Sequence, residues 1–228
     1  MGHVWPARRL GAQLVPTLER TQKFFDGYAA DFDALYGTRR SLINRVVNPL
    51  LRRSMKLRYQ RTLESCDPIE GAEVLDVGCG PGHYLVALLR RGAARAVGLD
   101  FAEGMLEIAG ARAETCGVAD RCELVHTSFE DFEPKRPFDY VILNGFMDYT
   151  PDPATIIRKA MGMATRRGFF SFPAAGGILG WQRRFRYRSR CDLYLYDRPR
   201  LEGLFSEFEN VSIETIARDY FVRVDIEH

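Results

Sequence analysis

The chain has 228 residues, with 46% hydrophobic and 27% charged residues and a formal net charge of +2. That is enough apolar material for one sizeable core, and it excludes a disordered chain; a net charge so small names no global partner. The five cysteines are odd in number, and Cys66, Cys79, Cys116, Cys122 and Cys191 include no Cys-x-x-Cys pair. Spacing of this kind excludes a disulfide framework and a zinc knuckle and leaves reduced thiols, as in the cytoplasm. No run of about 18 apolar residues is present to cross a bilayer.

Residues 1–20 carry little pattern, and Met1 to Pro16 has no sustained apolar stretch of the secretory type. From Phe25 onward, Phe25, Tyr28, Phe32 and Tyr36 recur near helical spacing. This stripe serves either as a core-facing side or as a lid over a bound ligand. Ser41 to Ser65 reads as one long helix or two, with a break at Asn48-Pro49. Arg52, Arg53, Lys56, Arg58 and Arg61 make it basic; most suit a solvated face, one of Arg58 and Arg61 is placed to meet a carboxylate beside a pocket, and Arg58 is the expected substrate contact.

Glu73–Val77 is expected to be a buried first strand. It runs into Gly78-Cys79-Gly80-Pro81-Gly82, a turn from which side chains have been removed, and then into a helix from Gly82 to Arg91. A ligand can lie against such a turn and the helix N-terminus behind it. A second strand, Ala96–Asp100, ends in a carboxylate about 20 residues beyond the glycines, suited to a ribose hydroxyl pair. Further strands are expected at Cys122–His126, Pro137–Leu143 and Gly168–Pro173, with a helix opening after Asp152-Pro153. An insertion from Ala174 to Asp197 follows, then a helix over Arg200–Phe208. A closing hairpin of Val211–Ile216 and Asp219–Val224 completes the chain. Strand and helix alternate throughout, which predicts an α/β fold.

The order Val74-Leu75-Asp76-Val77-Gly78-Cys79-Gly80-Pro81-Gly82 resembles motif I of the class I S-adenosylmethionine-dependent methyltransferases. Its acidic residue and Gly-x-Gly-x-Gly spacing separate it from dinucleotide-binding turns. The resemblance implies a Rossmann-like, seven-stranded mixed sheet in the order 3-2-1-4-5-7-6, residues 66–228, preceded by an arm and helical cap over 1–65. It implies S-adenosylmethionine as cofactor. On the family's pattern the cofactor is held by Asp76, Gly78, Cys79, Gly80, Gly82 and Asp100, with Phe101 and Met105 against ribose and adenine. Ser128 and Phe129 stand where family members usually have an acidic contact to the adenine amino group, so that contact is missing or moved to Glu130. Asn144 and Gly145, in the loop after the fourth strand where methyl donor and acceptor should meet, complete the cofactor contacts. The segment Tyr28-Ala29-Ala30-Asp31-Phe32-Asp33 is similar to a cap segment of small-molecule members, which makes Tyr28 a cofactor contact and Tyr36 a substrate contact.

Methyl transfer needs a base only where the acceptor must lose a proton. The candidates are Asp148 and Tyr149, ahead of His83 and His126. In layout the chain is loosely similar to magnesium-protoporphyrin O-methyltransferases, which carry a His-Tyr pair where Asp148-Tyr149 stands here. The architecture is shared and the substrate is not implied. The insertion holds five arginines between 183 and 190, interleaved with aromatics. Arg183 and Arg186 suit an anionic acceptor. The same pattern fits a solvated basic face or a membrane surface, and nucleic acid ranks last because the charge is local. The expected activity is O-methylation of a small anionic or aromatic metabolite or a lipid-linked acceptor. A non-catalytic cofactor-binding module and an RNA methyltransferase stay open as alternatives, although the Asn-Pro-Pro-aromatic signature of amino methylation is absent at Asn144-Gly145-Phe146-Met147. Oligomeric state is not legible.

Overall fold

A computed structural model describes residues 49–175 and 193–227, with side chains from residue 53. The readings at Tyr28, Tyr36, Arg183 and Arg186 lie outside the described residues. The elements are α1 (Pro49–Ser65), β1 (Glu73–Val77), α2 (His83–Arg90), β2 (Arg95–Asp100), α3 (Glu103–Thr115), β3 (Cys122–His126) and β4 (Phe138–Leu143). They continue with α4 (Pro153–Met163), β5 (Ala164–Pro173), α5 (Arg198–Leu204), β6 (Asn210–Ile216) and β7 (Asp219–Asp225).

The seven strands form one sheet in the expected order, β3-β2-β1-β4-β5-β7-β6. The first five run parallel, and β7 is antiparallel to both β5 and β6. Alternate residues of the central strands enter two cores. Leu75, Val77, Val141 and Leu143 pack with α4 and α5 on one face; Val74, Tyr140 and Ile142 pack with α1 and α2 on the other. Two short helices are started by their own sequence. Asp152 accepts from Thr155 N at 3.2 Å with Pro153 in the first turn, and Asp197 accepts from Arg200 N at 3.0 Å with Pro199 behind it.

Two elements differ from the sequence reading by more than one residue. Strand β5 begins at Ala164 and not at Gly168. Its first turns of chain look too charged for a strand, but Arg167 bonds Asp225 of β7 at 2.5 Å and Arg166 bonds Asp139 of β4 at 3.1 Å. Helix α5 runs from Arg198 to Leu204 and not from Arg200 to Phe208. Asp197 and Pro199 start it early, and Phe205 turns into the core, where it meets Phe170 and Phe172 edge-on.

Gly82 caps α2 in the left-handed region, φ 74°. A Cβ there would lie 2.9 Å from Ala109 Cβ of α3. Gly82→Ala therefore combines backbone strain with overpacking, and a loss of about 3 kcal/mol of stability is expected. Gly117→Ala supplies the comparison. Its φ is 67° and nothing lies within 4 Å, so only the strain remains. Urea unfolding of the two variants should separate the terms, with Gly82→Ala the lower in midpoint; equal losses would remove the helix contact from the account.

Among the described residues no helix is long and apolar enough to cross a membrane.

Candidate active site

Parallel strands open a crevice at their carboxyl ends where the order reverses, here between β1 and β4. The β1 turn, the β2 end and the β4 loop all reach it. The turn is held from both sides: Cys79 N donates to Leu99 O at 2.9 Å, and Gly80 N donates to Asp100 Oδ2 at 2.8 Å. The other carboxyl oxygen of Asp100 accepts from Ala102 N at 2.9 Å. One carboxylate thus ties the glycine turn to the start of α3. Gly82, which caps α2, has no side chain to bond the amides of the first turn.

Asp76 lies one strand position before the turn's approach, 2% exposed. Its Oδ2 is buried and has no hydrogen-bond partner among the described residues. Burial pushes the carboxyl well above the usual range, the nearby Asp100 pushes it further, and Arg58 pulls it back. Arg58 comes from α1, which packs beside α2 on one face of the sheet. Its guanidinium donates to Ser171 Oγ of β5 at 3.0 Å and lies 3.5 Å from the position a Cβ on Gly145 would take. Ser171 Oγ also accepts from Gly145 N at 2.8 Å. Asn144 Nδ2 donates to Thr62 Oγ1 at 2.9 Å, and Thr62 Oγ1 donates to Arg58 O at 2.9 Å. Helix, β4 loop and β5 are therefore knitted together around one cation.

The other expected contacts divide. Gly78 faces the Phe146 ring, 3.2 Å from where its Cβ would stand. Met105 is buried against Ala102, and Phe101 is half-buried beside it. Cys79 offers only backbone: its thiol is buried over Gly98, and burial raises its pKa well above the ordinary thiol value. Phe129 is a core residue, edge-on to Phe146 with centroids 6.1 Å apart. Ser128 donates to Asp131 Oδ2 at 2.7 Å and accepts from Asp131 N at 3.2 Å, a local turn that uses its hydroxyl. Arg61, the other basic candidate of α1, points elsewhere and pairs with Glu214 of β6 at 3.1 Å.

The β4 loop carries a 3-10 turn, Met147–Tyr149. Asp148 is 7% exposed and Tyr149 half-buried. His83 opens α2 within the glycine turn, whereas His126 is bound at 3.0 Å to Phe101 O on the exposed end of β3. Ser171 and Thr62 were not among the residues singled out from sequence. A serine inside an otherwise aromatic strand, Phe169-Phe170-Ser171-Phe172, is the one signal that could have found the first.

Residues 74–168 match the family model described as a methyltransferase domain. The ubiquinone biosynthesis O-methyltransferase of Neisseria meningitidis serogroup C (strain 053442) is 39% identical over 106 residues, covering 46% of this chain and 44% of that protein. The protein of the same name from Vibrio campbellii is 32% identical over 119 residues, 50% of this chain and 49% of the relative. The chain thus aligns with about half the length of the curated relatives it matches. Among solved structures, magnesium protoporphyrin IX methyltransferase from Synechocystis PCC 6803 with bound SAH superposes with a TM-score of 0.71 at 15% identity, covering 91% of this chain and 98% of that one. A DhpI-SAM-HEP complex gives 0.68 at 15% identity, covering 92% and 98%. At such identities these structures speak for the fold. The motif, the sheet order and the matched segment agree: residues 74–168 match a methyltransferase domain, set in a sheet of the class I strand order.

Proposed function

We propose that the chain transfers the methyl group of S-adenosylmethionine to an oxygen of a small anionic or aromatic acceptor in the cytoplasm. The observation that carries this reading is the pair of buried carboxyls flanking the glycine turn. Asp100 braces the turn, and Asp76 holds an oxygen with no hydrogen-bond partner among the described residues. A ligand with two adjacent hydroxyls and an ammonium group suits them. When bound, S-adenosylmethionine supplies a methyl carbon already activated by its sulfonium.

What remains for the protein is holding and orientation. Asp100, at the end of β2 beside the glycine turn, accepts from the ribose hydroxyls. Asp76 offsets the ammonium charge. Arg58 receives a carboxylate in the pocket, of the cofactor's amino-acid end or of the acceptor. Met105 and Phe101 supply apolar surface for the adenosine end, and the β4 loop closes the methyl end with Asn144 and Gly145. Asp148 takes the acceptor's hydroxyl proton, and Tyr149 lines its approach. The relatives' names as O-methyltransferases support oxygen as the acceptor atom. The arginine-rich insertion supports an anionic acceptor or one presented at a membrane surface.

The test is direct. Calorimetry with S-adenosylmethionine should give saturable binding, and wild-type protein should methylate an anionic catechol such as 3,4-dihydroxybenzoate. Asp148→Asn should lower kcat by about 100-fold, the scale of general-base loss, with cofactor affinity within about twofold of wild type. Wild-type turnover by this variant would remove Asp148 as the base.

A further inference from the structure

The Met147–Tyr149 turn does not hold itself. It is three residues of 3-10 helix, with Tyr149 N donating to Phe146 O at 3.2 Å and the Thr150 hydroxyl donating to the same carbonyl at 3.3 Å. Hydrogen bonds of this geometry fix an orientation poorly. Two successive carbonyls of the turn are instead claimed from a distant stretch of chain. Tyr196 Oη donates to Met147 O at 3.3 Å, and Tyr194 N donates to Asp148 O at 2.9 Å.

That stretch is itself anchored to β5. Tyr196 N donates to Pro173 O at 2.9 Å, Ala175 N donates to Tyr196 O at 2.7 Å, and Ala174 and Tyr196 form a parallel bridge. The Tyr196 ring is fully buried. Phe172 meets it edge-on with centroids 4.8 Å apart, and the Arg200 guanidinium covers it at 4.4 Å. Burial pushes its hydroxyl pKa up to about 12, so the proton needed for donation is present across the working pH range. A ring that only filled the core would do as well without an oxygen. This oxygen is buried and aimed at the carbonyl preceding Asp148.

We propose that Tyr196 is a positioning residue for the acceptor side of the site: together with the Tyr194 amide it straps the Met147–Tyr149 turn to the end of β5 and sets the direction of Asp148. The proposal rests on the reading of Asp148 as the base. It also gives the C-terminal end of the insertion a role that its composition does not suggest. Residues 193–196 connect the end of β5, where the insertion leaves the sheet, to the loop where the methyl is received.

Tyr196→Phe keeps the ring, the Phe172 contact and the Arg200 stack, and deletes only the hydroxyl. The expected result has three parts. Turnover of 3,4-dihydroxybenzoate at saturating cofactor falls about tenfold, with the acidic limb of the kcat profile displaced. Cofactor affinity by calorimetry stays within about twofold of wild type. Amide hydrogen exchange at residues 147–149 quickens about fivefold while that of 74–82 does not change. Unchanged exchange at 147–149 overturns the strap. Faster exchange with wild-type turnover and pH profile overturns its role in positioning. A parallel loss of cofactor affinity and turnover, with exchange rising throughout, makes the hydroxyl merely structural and also overturns it. Wild-type protein that binds S-adenosylmethionine but does not turn over this catechol counts against the proposed function, and the exchange comparison then decides the strap by itself.

Discussion

Asp100→Ala is expected to weaken S-adenosylmethionine binding by more than about 100-fold, or about 2.8 kcal/mol on the usual scale of about 1.4 kcal/mol per decade. The carboxylate has two duties. It accepts from Gly80 N and Ala102 N, at 2.8 and 2.9 Å, so that one side chain fixes both the crest of the glycine turn and the entry to α3. Bonds from amides to a charged acceptor contribute about 1.5–3 kcal/mol each when buried. Alanine leaves both amides without that acceptor and removes the proposed ribose contact in the same step. Asp100→Asn separates the duties. It keeps the volume and one carbonyl oxygen, but turns an NH2 group toward an amide that also donates. Its affinity should therefore fall well below wild type, with a smaller loss of stability than alanine. Calorimetry gives the affinities and thermal unfolding the stabilities. An Asp100→Ala protein that binds the cofactor as wild type does would end the ribose assignment.

The sheet was legible because its central strands are nearly pure apolar runs closed by glycine, proline or asparagine. Glu73–Val77 and Cys122–His126 fall where they were read. The start of β5 was hidden because Thr165, Arg166 and Arg167 look solvated, and only the partners Asp139 and Asp225, far off in sequence, make them strand residues. The same division runs through the site. The Asp76–Gly82 motif is recognisable because its chemistry is in its spacing: a backbone turn needs its glycines at fixed offsets. Arg58 is the substrate contact expected from sequence, but its spacing does not separate it from Arg61; what does is which side of α1 meets Ser171 and which meets Glu214. Tyr196 was invisible as a positioning residue. In the sequence it is one of several aromatics near an arginine cluster, and its meaning comes from a carbonyl 49 positions away. Ser128 shows the reverse: a family position that suggested a ligand contact is occupied by a side chain bonded to Asp131.

Asp76→Asn is expected to make the cofactor-free protein more stable and the cofactor weaker in binding. The carboxyl is buried, has Asp100 as a neighbour and is offset only in part by Arg58, so its pKa in the folded chain stands above the value of about 3.9 for an unfolded aspartate. The sign follows from linkage. A carboxyl whose folded pKa is raised stabilises the fold in its protonated form; that contribution is complete below the unfolded pKa and is lost as pH rises through the folded one. Near neutral pH and above, the cofactor-free protein therefore carries the cost of either burying a charge or holding a proton. Asparagine has nearly the same shape and no charge to bury. The variant should unfold at a higher temperature than wild type at about pH 8, by about 2–4 °C for each kcal/mol relieved in a chain of this size. The gain should shrink as pH falls toward and below about 4, since only below the unfolded pKa is the wild-type carboxyl protonated in both states. Saturating S-adenosylmethionine should reverse the order, because the wild-type carboxylate gains an ammonium partner that asparagine cannot match, and binding should weaken at least tenfold. Thermal unfolding across that pH range, with and without cofactor, measures both effects. A uniform loss of stability at every pH would mean that the carboxyl is held by bonds within the fold and is not kept under strain for a ligand.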